Sequence, residues 1–397
     1  MSSFIDLGVP ADLAAALSSR GIDSPFPVQA ATIPDQLAGR DVCGRAPTGS
    51  GKTLAFGLPL VERVGRSKPN RPRALILAPT RELAAQIERE LAPLAKVRGR
   101  RVFSVYGGVG YDPQRRNLRR GVDILVACPG RLEDLIEQRV VDLSIVEIVV
   151  IDEADRMADM GFLPAVKRIL DATAEKRQTV LFSATLDGDV AVLTKKYQHD
   201  PARHEVEGVE NDGMDADHRF EQVEFHDRLT RTAEVINTEG ATIVFCRTRH
   251  GADKLAKKLE TAGVRAAPIH GGLSQNKRDR ALHAFQRGSV QALIATDVAA
   301  RGIHVDDVAC VVHFDPPEDA KTYVHRSGRT ARKGASGVVI SLVGADQQRD
   351  SRKMRRELGF ETGPEPHRPS GSPSGARQHR DRPARNRSRQ RRTSSGR

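Results

Sequence analysis

The sequence predicts an α/β protein built from two parallel-sheet domains, followed by a disordered basic C-terminal tail. Three observations carry that prediction. From Asp41 onward, short apolar runs of strand length alternate with longer amphipathic segments, the pattern of strand–helix–strand units with right-handed crossovers. The alternation breaks at 205–218, a polar, acidic stretch rich in Gly and Asp, and then restarts. After Phe360, Gly, Pro, Ser and Arg dominate and large apolar residues almost vanish, so ordering entropy cannot be offset by burial. The expected organisation is a first domain over 1–204, a linker over 205–218, a second domain over 219–361 and a tail over 362–397.

Composition narrows the class. Hydrophobic residues make up 39% of the 397, enough for two cores, but aromatics are only 4% with no Trp, so Val, Ile, Leu and Ala must fill them. The formal net charge is +12, and about ten arginines lie in the tail, Arg385, Arg387, Arg389, Arg391 and Arg392 among them. A flexible cationic arm points to an anionic partner, nucleic acid foremost, with a solubilising role as the plainer reading. Cys43, Cys128, Cys246 and Cys310 form no CxxC pair and sit in or beside apolar runs, which predicts buried free thiols in a reducing cytoplasm. There is no basic-then-apolar leader and no run of about 18 apolar residues, so neither export nor a membrane is expected.

Taken in order, residues 1–40 carry helical spacing (Leu13, Leu17), a break at Gly21-Ile22-Asp23-Ser24-Pro25, and a second helix starting near Pro27. Strands are predicted over Asp41–Arg45, Ala74–Ala78, Val102–Val105, Ile124–Ala127, Ile148–Ile151 and Thr179–Phe182. In the second half they are predicted over Phe220–Phe225, Thr242–Cys246, Val290–Ile294, Ala309–His313 and Val338–Leu342. The helix Arg249–Thr261 aligns Ala252, Leu255, Ala256 and Leu259 on one face.

Two stretches carry chemistry. Ala46-Pro47-Thr48-Gly49-Ser50-Gly51-Lys52-Thr53 follows a strand and opens a helix, the context a phosphate loop requires. Its glycines let backbone N–H groups face phosphate oxygens at a helix N-terminus. Lys52 is placed for the β- and γ-phosphates and Thr53 for Mg²⁺, which makes a nucleoside triphosphate the expected ligand. Ala46 stands where the usual pattern has Gly. The second stretch is Val149-Val150-Ile151-Asp152-Glu153-Ala154-Asp155, a buried strand running into three carboxylates at its C-terminal end, where open α/β sheets place ligands. Alone, the carboxylates could cap a helix. Beside a phosphate loop, Asp152 becomes the second metal-ordering group, partly through water, and Glu153 the residue that orients or deprotonates the attacking water.

With these motifs in place, the chain resembles the DEAD-box RNA helicases of helicase superfamily 2, from Phe4 to about Leu342. The resemblance implies two RecA-like domains and adds roles residue by residue. Gly21-Ile22, Pro25-Phe26-Pro27 and Gln29 match the Q motif, with Gln29 reading adenine through its amide and Phe4 stacking on the base. Thr80 and Arg81 lie in Pro79-Thr80-Arg81-Glu82-Leu83, Gly108 in the GG element, and Arg131 in Pro129-Gly130-Arg131. All are implied contacts to an RNA backbone, with Cys128 where Thr is usual. Ser183-Ala184-Thr185 and Asp155 are implied to couple hydrolysis to strand separation. In the second half, Arg247, Gln275, Arg278, Thr296 and Arg301 are implied RNA contacts, and His304 stands where Asp usually meets the ribose. His325 is an implied coupling residue. Arg329 and Arg332, three apart and on one helical turn, are implied arginine fingers, with Ala331 replacing a Gly as a mild change.

The resemblance implies an ATPase stimulated by RNA that opens short duplexes or remodels RNA–protein complexes, with ATP and Mg²⁺ as cofactors. The expected partner is RNA held by its backbone, with ribosome-assembly or RNA-decay proteins as further candidates, no membrane, and a monomeric cytoplasmic chain. A DNA-directed ATPase of the same architecture is disfavoured by the Q motif and the Asp152–Asp155 spelling. A non-enzymatic RNA-binding protein is disfavoured by intact Lys52, Glu153, Arg329 and Arg332. No G-x-G-x-x-G fingerprint supports a dinucleotide oxidoreductase.

Overall fold

The computed structural model describes residues 3–360 apart from Thr48, 207–214, 301–307 and 332–335. The tail over 362–397 and most of the expected linker therefore lie outside the described residues. So do Arg301, His304 and Arg332.

The first sheet has seven strands: β1 (Val42–Arg45), β2 (Ala74–Leu77), β3 (Val102–Val105), β4 (Ile124–Ala127), β5 (Ile148–Ile151), β6 (Gln178–Ser183) and β7 (Ala202–Glu205). Their order is β3-β4-β2-β5-β6-β1-β7 and every pairing is parallel. The central strands β2, β4 and β5 are apolar throughout because both faces are covered. Alternate residues divide between two cores. Val42, Ile76, Val126, Val150 and Phe182 face one, with α1 (Ala11–Ser18), α2 (Pro27–Leu37), α3 (Lys52–Arg63) and α4 (Arg81–Val97). Leu75, Leu77, Leu125, Val149, Ile151 and Leu181 face the other. That side is closed by α5 (Tyr111–Arg119), α6 (Pro129–Glu137), α7 (Ala154–Asp159), α8 (Leu163–Asp171) and α9 (Gly188–Tyr197). Each fully buried Leu, Ile or Val here contributes about 1.5–3 kcal/mol.

The second sheet has six strands, again all parallel: β8 (Asp217–Gln222), β9 (Thr242–Phe245), β10 (Ala266–Ile269), β11 (Ala292–Ala295), β12 (Cys310–His313) and β13 (Val338–Val343), in the order β10-β11-β9-β12-β13-β8. α10 (Arg228–Glu239) and α11 (Arg249–Thr261) cover one face. α12 (Gln275–Gln286), α14 (Ala320–Ser327) and α15 (Gln348–Glu357) cover the other, with the short α13 (Asp297–Ala300) following β11.

Most differences from the sequence reading fall at sheet edges. β8 starts at Asp217 rather than Phe220, so Asp217 and His218 belong to a strand and not to the linker, and Glu205 ends β7. Edge strands expose one side, and the half-buried alternation of DHRFEQ and ARHE reads as polar loop. Phe225, expected inside that strand, is 82% exposed. β10 (AAPI) was masked by its proline, which an edge strand tolerates because one N–H row is unpaired. The β11 prediction shifts to Ala292–Ala295.

Candidate active site

The first sheet brings its functional loops together at the C-terminal ends of β1, β5 and β6, neighbours in the order β5-β6-β1. Ser183, the last residue of β6, is the joint. Its carbonyl accepts from the Ala46 N–H at 3.1 Å, and its Oγ accepts from the Asp155 N–H at 3.1 Å. The phosphate loop and the carboxylate cluster are thus tied to one residue of the Ser183-Ala184-Thr185 segment; Thr185 itself is half-buried.

The phosphate loop turns through left-handed Gly49 (φ 85°) and Gly51 (φ 88°) into α3. A side chain on Gly51 would also collide with the Gln29 amide and the Phe26 ring. Lys52 is buried and folds back, its Nζ donating to the carbonyls of Ala46 (2.9 Å) and Pro47 (3.1 Å), while Ser50 Oγ donates to Pro47 O at 2.8 Å. These are positions that phosphate oxygens would compete for. Thr53 follows in the first turn of α3, and Thr48 lies outside the described residues.

Gln29 is fully buried. Its Oε1 accepts from the Phe26 N–H at 2.9 Å, closing the start of α2, and its Nε2 donates to Gly51 O at 3.0 Å. Each amide atom keeps capacity for one more bond. Phe4 is buried in the first core, packed with the helices that carry the Q motif.

Asp152 and Glu153 are both buried directly after central strand β5, and the Asp152 N–H donates to Leu77 O at 3.0 Å. Asp152 Oδ1 accepts from the Glu153 N–H at 3.0 Å. Glu153 has φ 53°, ψ 54°, a left-handed conformation that costs a non-glycine residue on the order of 1–3 kcal/mol and recurs at functional sites. Its carboxylate pairs with Arg156 at 2.6 Å, both side chains about nine-tenths buried. Arg156 was missed by the sequence reading; its i,i+3 spacing from Glu153 was the available signal. Thr53 and Asp152 offer hydroxyl and carboxylate oxygens, hard donors suited to Mg²⁺, and few enough that phosphates and water would complete the shell.

The implied RNA residues of this domain are placed unevenly. Thr80 Oγ1 caps α4 by accepting from the Leu83 N–H at 3.3 Å. The Arg81 guanidinium lies where a side chain on left-handed Gly108 (φ 81°) would be. Arg131 is turned inward: both its terminal nitrogens donate to Val109 O at 3.1 Å, and its guanidinium stacks 3.9 Å from the centre of the Tyr111 ring. Cys128 caps no bond, and burial pushes its thiol up to about 12, so it stays neutral.

Across the cleft, Gln275 and Arg278 both reach the first domain. Glu82 Oε1 accepts from Gln275 Nε2 at 3.2 Å and from Arg278 Nη2 at 3.0 Å. A second crossing joins Lys321 Nζ to Asp159 Oδ1 at 2.9 Å. Within the second domain, Arg326 clamps Asp297 through two bonds of 2.6 and 2.8 Å and also donates to Asp315 O at 2.8 Å. That clamp, unforeseen from sequence, locks the segment beginning Thr296 to the one carrying His325 and Arg329. Thr296 and Arg329 are buried, His325 is half-buried and Arg247 is exposed. Ala331 sits at φ 52°, so its replacement of glycine is strained rather than mild.

Comparison with known proteins agrees with this geometry. Residues 26–193 match the DEAD/DEAH box helicase family and residues 226–334 the helicase conserved C-terminal domain. The chain is 39% identical over 365 residues to the DEAD-box ATP-dependent RNA helicase CshA of Bacillus subtilis, covering 89% of this chain and 74% of that one. It is also 39% identical over 376 residues to the ATP-dependent RNA helicase RhlB of Pseudomonas syringae pv. tomato, covering 91% and 95%. Among solved structures it is similar to S. cerevisiae Dbp5 bound to RNA and ADP BeF3, with TM-score 0.80, 29% identity, and 91% and 94% coverage. A DEAD box protein from Methanococcus jannaschii gives TM-score 0.51 at 33% identity, covering 90% and 98%.

Proposed function

This chain belongs to the DEAD-box ATP-dependent RNA helicases, RNA-stimulated ATPases that act as helicases, and from that premise we propose how its residues divide the work. One observation carries the proposal: Ser183 holds the phosphate loop by its carbonyl and the Asp155 backbone by its hydroxyl. ATP enters where Lys52 now bonds the loop's own carbonyls, and Lys52 transfers those bonds to the β- and γ-phosphates. Phosphate-facing N–H groups come from Gly49, Ser50 and Gly51, within the loop Ala46-Pro47-Thr48-Gly49-Ser50-Gly51 that Ser183 anchors through the Ala46 N–H, with Gln29 and Phe4 on the adenine side.

Thr53 and Asp152 would hold Mg²⁺, which when bound supplies positive charge to the β- and γ-phosphates. Glu153 orients and deprotonates the attacking water, and its pairing with Arg156 holds the carboxylate in place. Arg329 and Arg332 add charge stabilisation from the second domain, a contribution of about 10³–10⁵ in rate where such fingers operate. Asp155, Ser183, Thr185 and His325 couple the nucleotide to the cleft.

RNA is gripped by its backbone through Thr80, Arg81, Gly108, Arg247, Thr296 and Arg301, with Gln275, Arg278 and Arg131 acting by shaping that surface. Closing of the two domains serves both ligands, so each promotes the other's binding. The three contacts that Glu82 and Asp159 make with the second domain support a closed arrangement, as does the similarity to RNA- and nucleotide-bound Dbp5. The chain works as a monomer in the cytoplasm, with ribosome-assembly or RNA-decay proteins as partners; among the described residues no helix is long and apolar enough to cross a membrane.

The test is Glu153→Gln, which keeps an acceptor for Arg156. RNA-stimulated ATP turnover should fall by about 10²–10⁴ while ATP binding persists. Unchanged turnover would remove Glu153 from the reaction.

A further inference from the structure

The helix α15 lies beyond the residues matched by either family model and takes no part in the proposed ATPase cycle. Its inward side is ordinary: Ser351 and Met354 are buried, Leu358 packs on the core that contains Tyr323, and Arg355 stacks 4.9 Å from the centre of the Phe220 ring. Phe360, just past the helix, joins an aromatic cluster with His218, Phe220 and Tyr323 at centroid distances of 4.5–5.8 Å. The helix is therefore anchored at its middle and at its end.

Its outward side is not ordinary. Arg349, Arg352, Lys353 and Arg356 are all exposed and fall at i, i+3, i+4 and i+7, one continuous stripe of a helix. The two acids of the helix, Asp350 and Glu357, sit together on one flank of that stripe, and Lys353 reaches Glu357 only at 3.8 Å. Like charges at i,i+4 (Arg349 with Lys353, Arg352 with Arg356) weaken a helix by a few tenths of a kcal/mol each. A bound anion reverses the sign of that term. The stripe presents no exposed apolar residue, so it lacks what an interfacial membrane helix needs. It lies on the same face of the second sheet as α12 and α14, the helices whose Arg278 and Lys321 cross to the first domain.

We propose that the α15 stripe is a second RNA contact, a phosphate-backbone rail for the part of the RNA that flanks the strand held in the cleft. This rests on RNA being the ligand of the cleft. Three arginines and one lysine suit repeated phosphates, which they meet without reading sequence. The four cations span about 10 Å of helix, at 1.5 Å per residue, enough to meet successive phosphates.

The experiment uses the full chain with Arg349→Gln, Arg352→Gln, Lys353→Gln and Arg356→Gln combined; glutamine keeps helix propensity. Two RNAs are compared: a short single strand that fills only the cleft, and the same strand extended by a flanking duplex. Binding is measured against salt concentration. For the extended RNA, the salt slope should flatten by about 3, with roughly tenfold weaker binding, while the short strand binds as before. Basal ATP turnover and the circular dichroism spectrum should be unchanged. Equal loss on both RNAs, or no change on either, overturns the proposal. So does loss of binding to poly-glutamate with RNA binding intact, which would make the stripe a dock for an acidic protein. Failure of the short strand to bind the wild-type chain would instead strike the reading of the cleft, and a truncation after residue 362 separates any contribution of the tail.

Discussion

Glu82, in the first turn of α4, and Arg278, in the first turn of α12, form an ion pair at 3.0 Å across the cleft, each side chain 93% buried. Burial pulls the Arg278 guanidinium below its ordinary value, and Glu82 is the first group that opposes this. Two charges are shielded this well only when the domains meet, so the pair belongs to the closed state.

Breaking it should therefore act on closure rather than on chemistry. Arg278→Gln leaves the Glu82 carboxylate buried without its cation, a loss of about 3–5 kcal/mol where such a pair is fully buried. We expect the RNA concentration for half-maximal ATPase to rise at least tenfold, with the melting temperature of the separate second domain unaffected. Steady-state ATPase titrated with RNA measures this. The swap Glu82→Arg with Arg278→Glu should recover part of the loss; no recovery would mean that Arg278 acts on RNA directly.

Lys321 and Asp159 make the other crossing, and this pair is half-exposed. Such pairs contribute about 0.2–1 kcal/mol and are screened by salt. Lys321→Glu should lower RNA-stimulated turnover about two- to fivefold at low salt, with the difference shrinking as salt rises. Adding Asp159→Lys should restore it. The double-mutant cycle reads the coupling.

Ala331 is held at φ 52°, and Gly337 opposite it has no room for a side chain because Thr330 and the Ala331 backbone occupy the space. Ala331→Gly should therefore stabilise the protein by about 1 kcal/mol, since glycine adopts this conformation without the Cβ penalty. Chemical denaturation checks it. A lower midpoint would show that the backbone strain is not the dominant effect.

His313 is enclosed in the second domain, its Nδ1 bonded to Ser341 Oγ at 3.1 Å and its ring edge-on to Tyr323. Burial, with Arg326 and His218 adding repulsion, holds its pKa well below the ordinary 6.5. The folded ring stays neutral while the unfolded one protonates, so stability is fully present above about pH 6.5 and falls as pH drops below it. The fall is at most about 1.4 kcal/mol per pH unit from this group. His313→Asn should flatten the acid limb between pH 6.5 and 5 in urea titrations, whatever it does to stability at neutral pH.

The two cores were legible in the sequence because a strand covered on both faces must be apolar along its whole length. Val149-Val150-Ile151 and Ile243-Val244-Phe245 signal that directly. The phosphate loop and the Asp152–Asp155 cluster were legible because their chemistry demands particular residues at adjacent positions. Edge strands β7 and β10 escaped and the bounds of β8 were displaced, since an edge needs neither continuous apolarity nor a full row of N–H donors. The partners of the site residues escaped for a different reason. Ser183 meets Ala46, Glu82 meets Arg278, and Arg326 meets Asp297 across separations that no local spacing encodes. Sequence alone determined which groups the chain carries and which apolar central strands they follow. Only tertiary packing decided that Arg131 turns inward, that Gln275 and Arg278 grasp Glu82, and that Arg349, Arg352, Lys353 and Arg356 of α15 form one exposed cationic stripe, because each depends on which surfaces are buried against which.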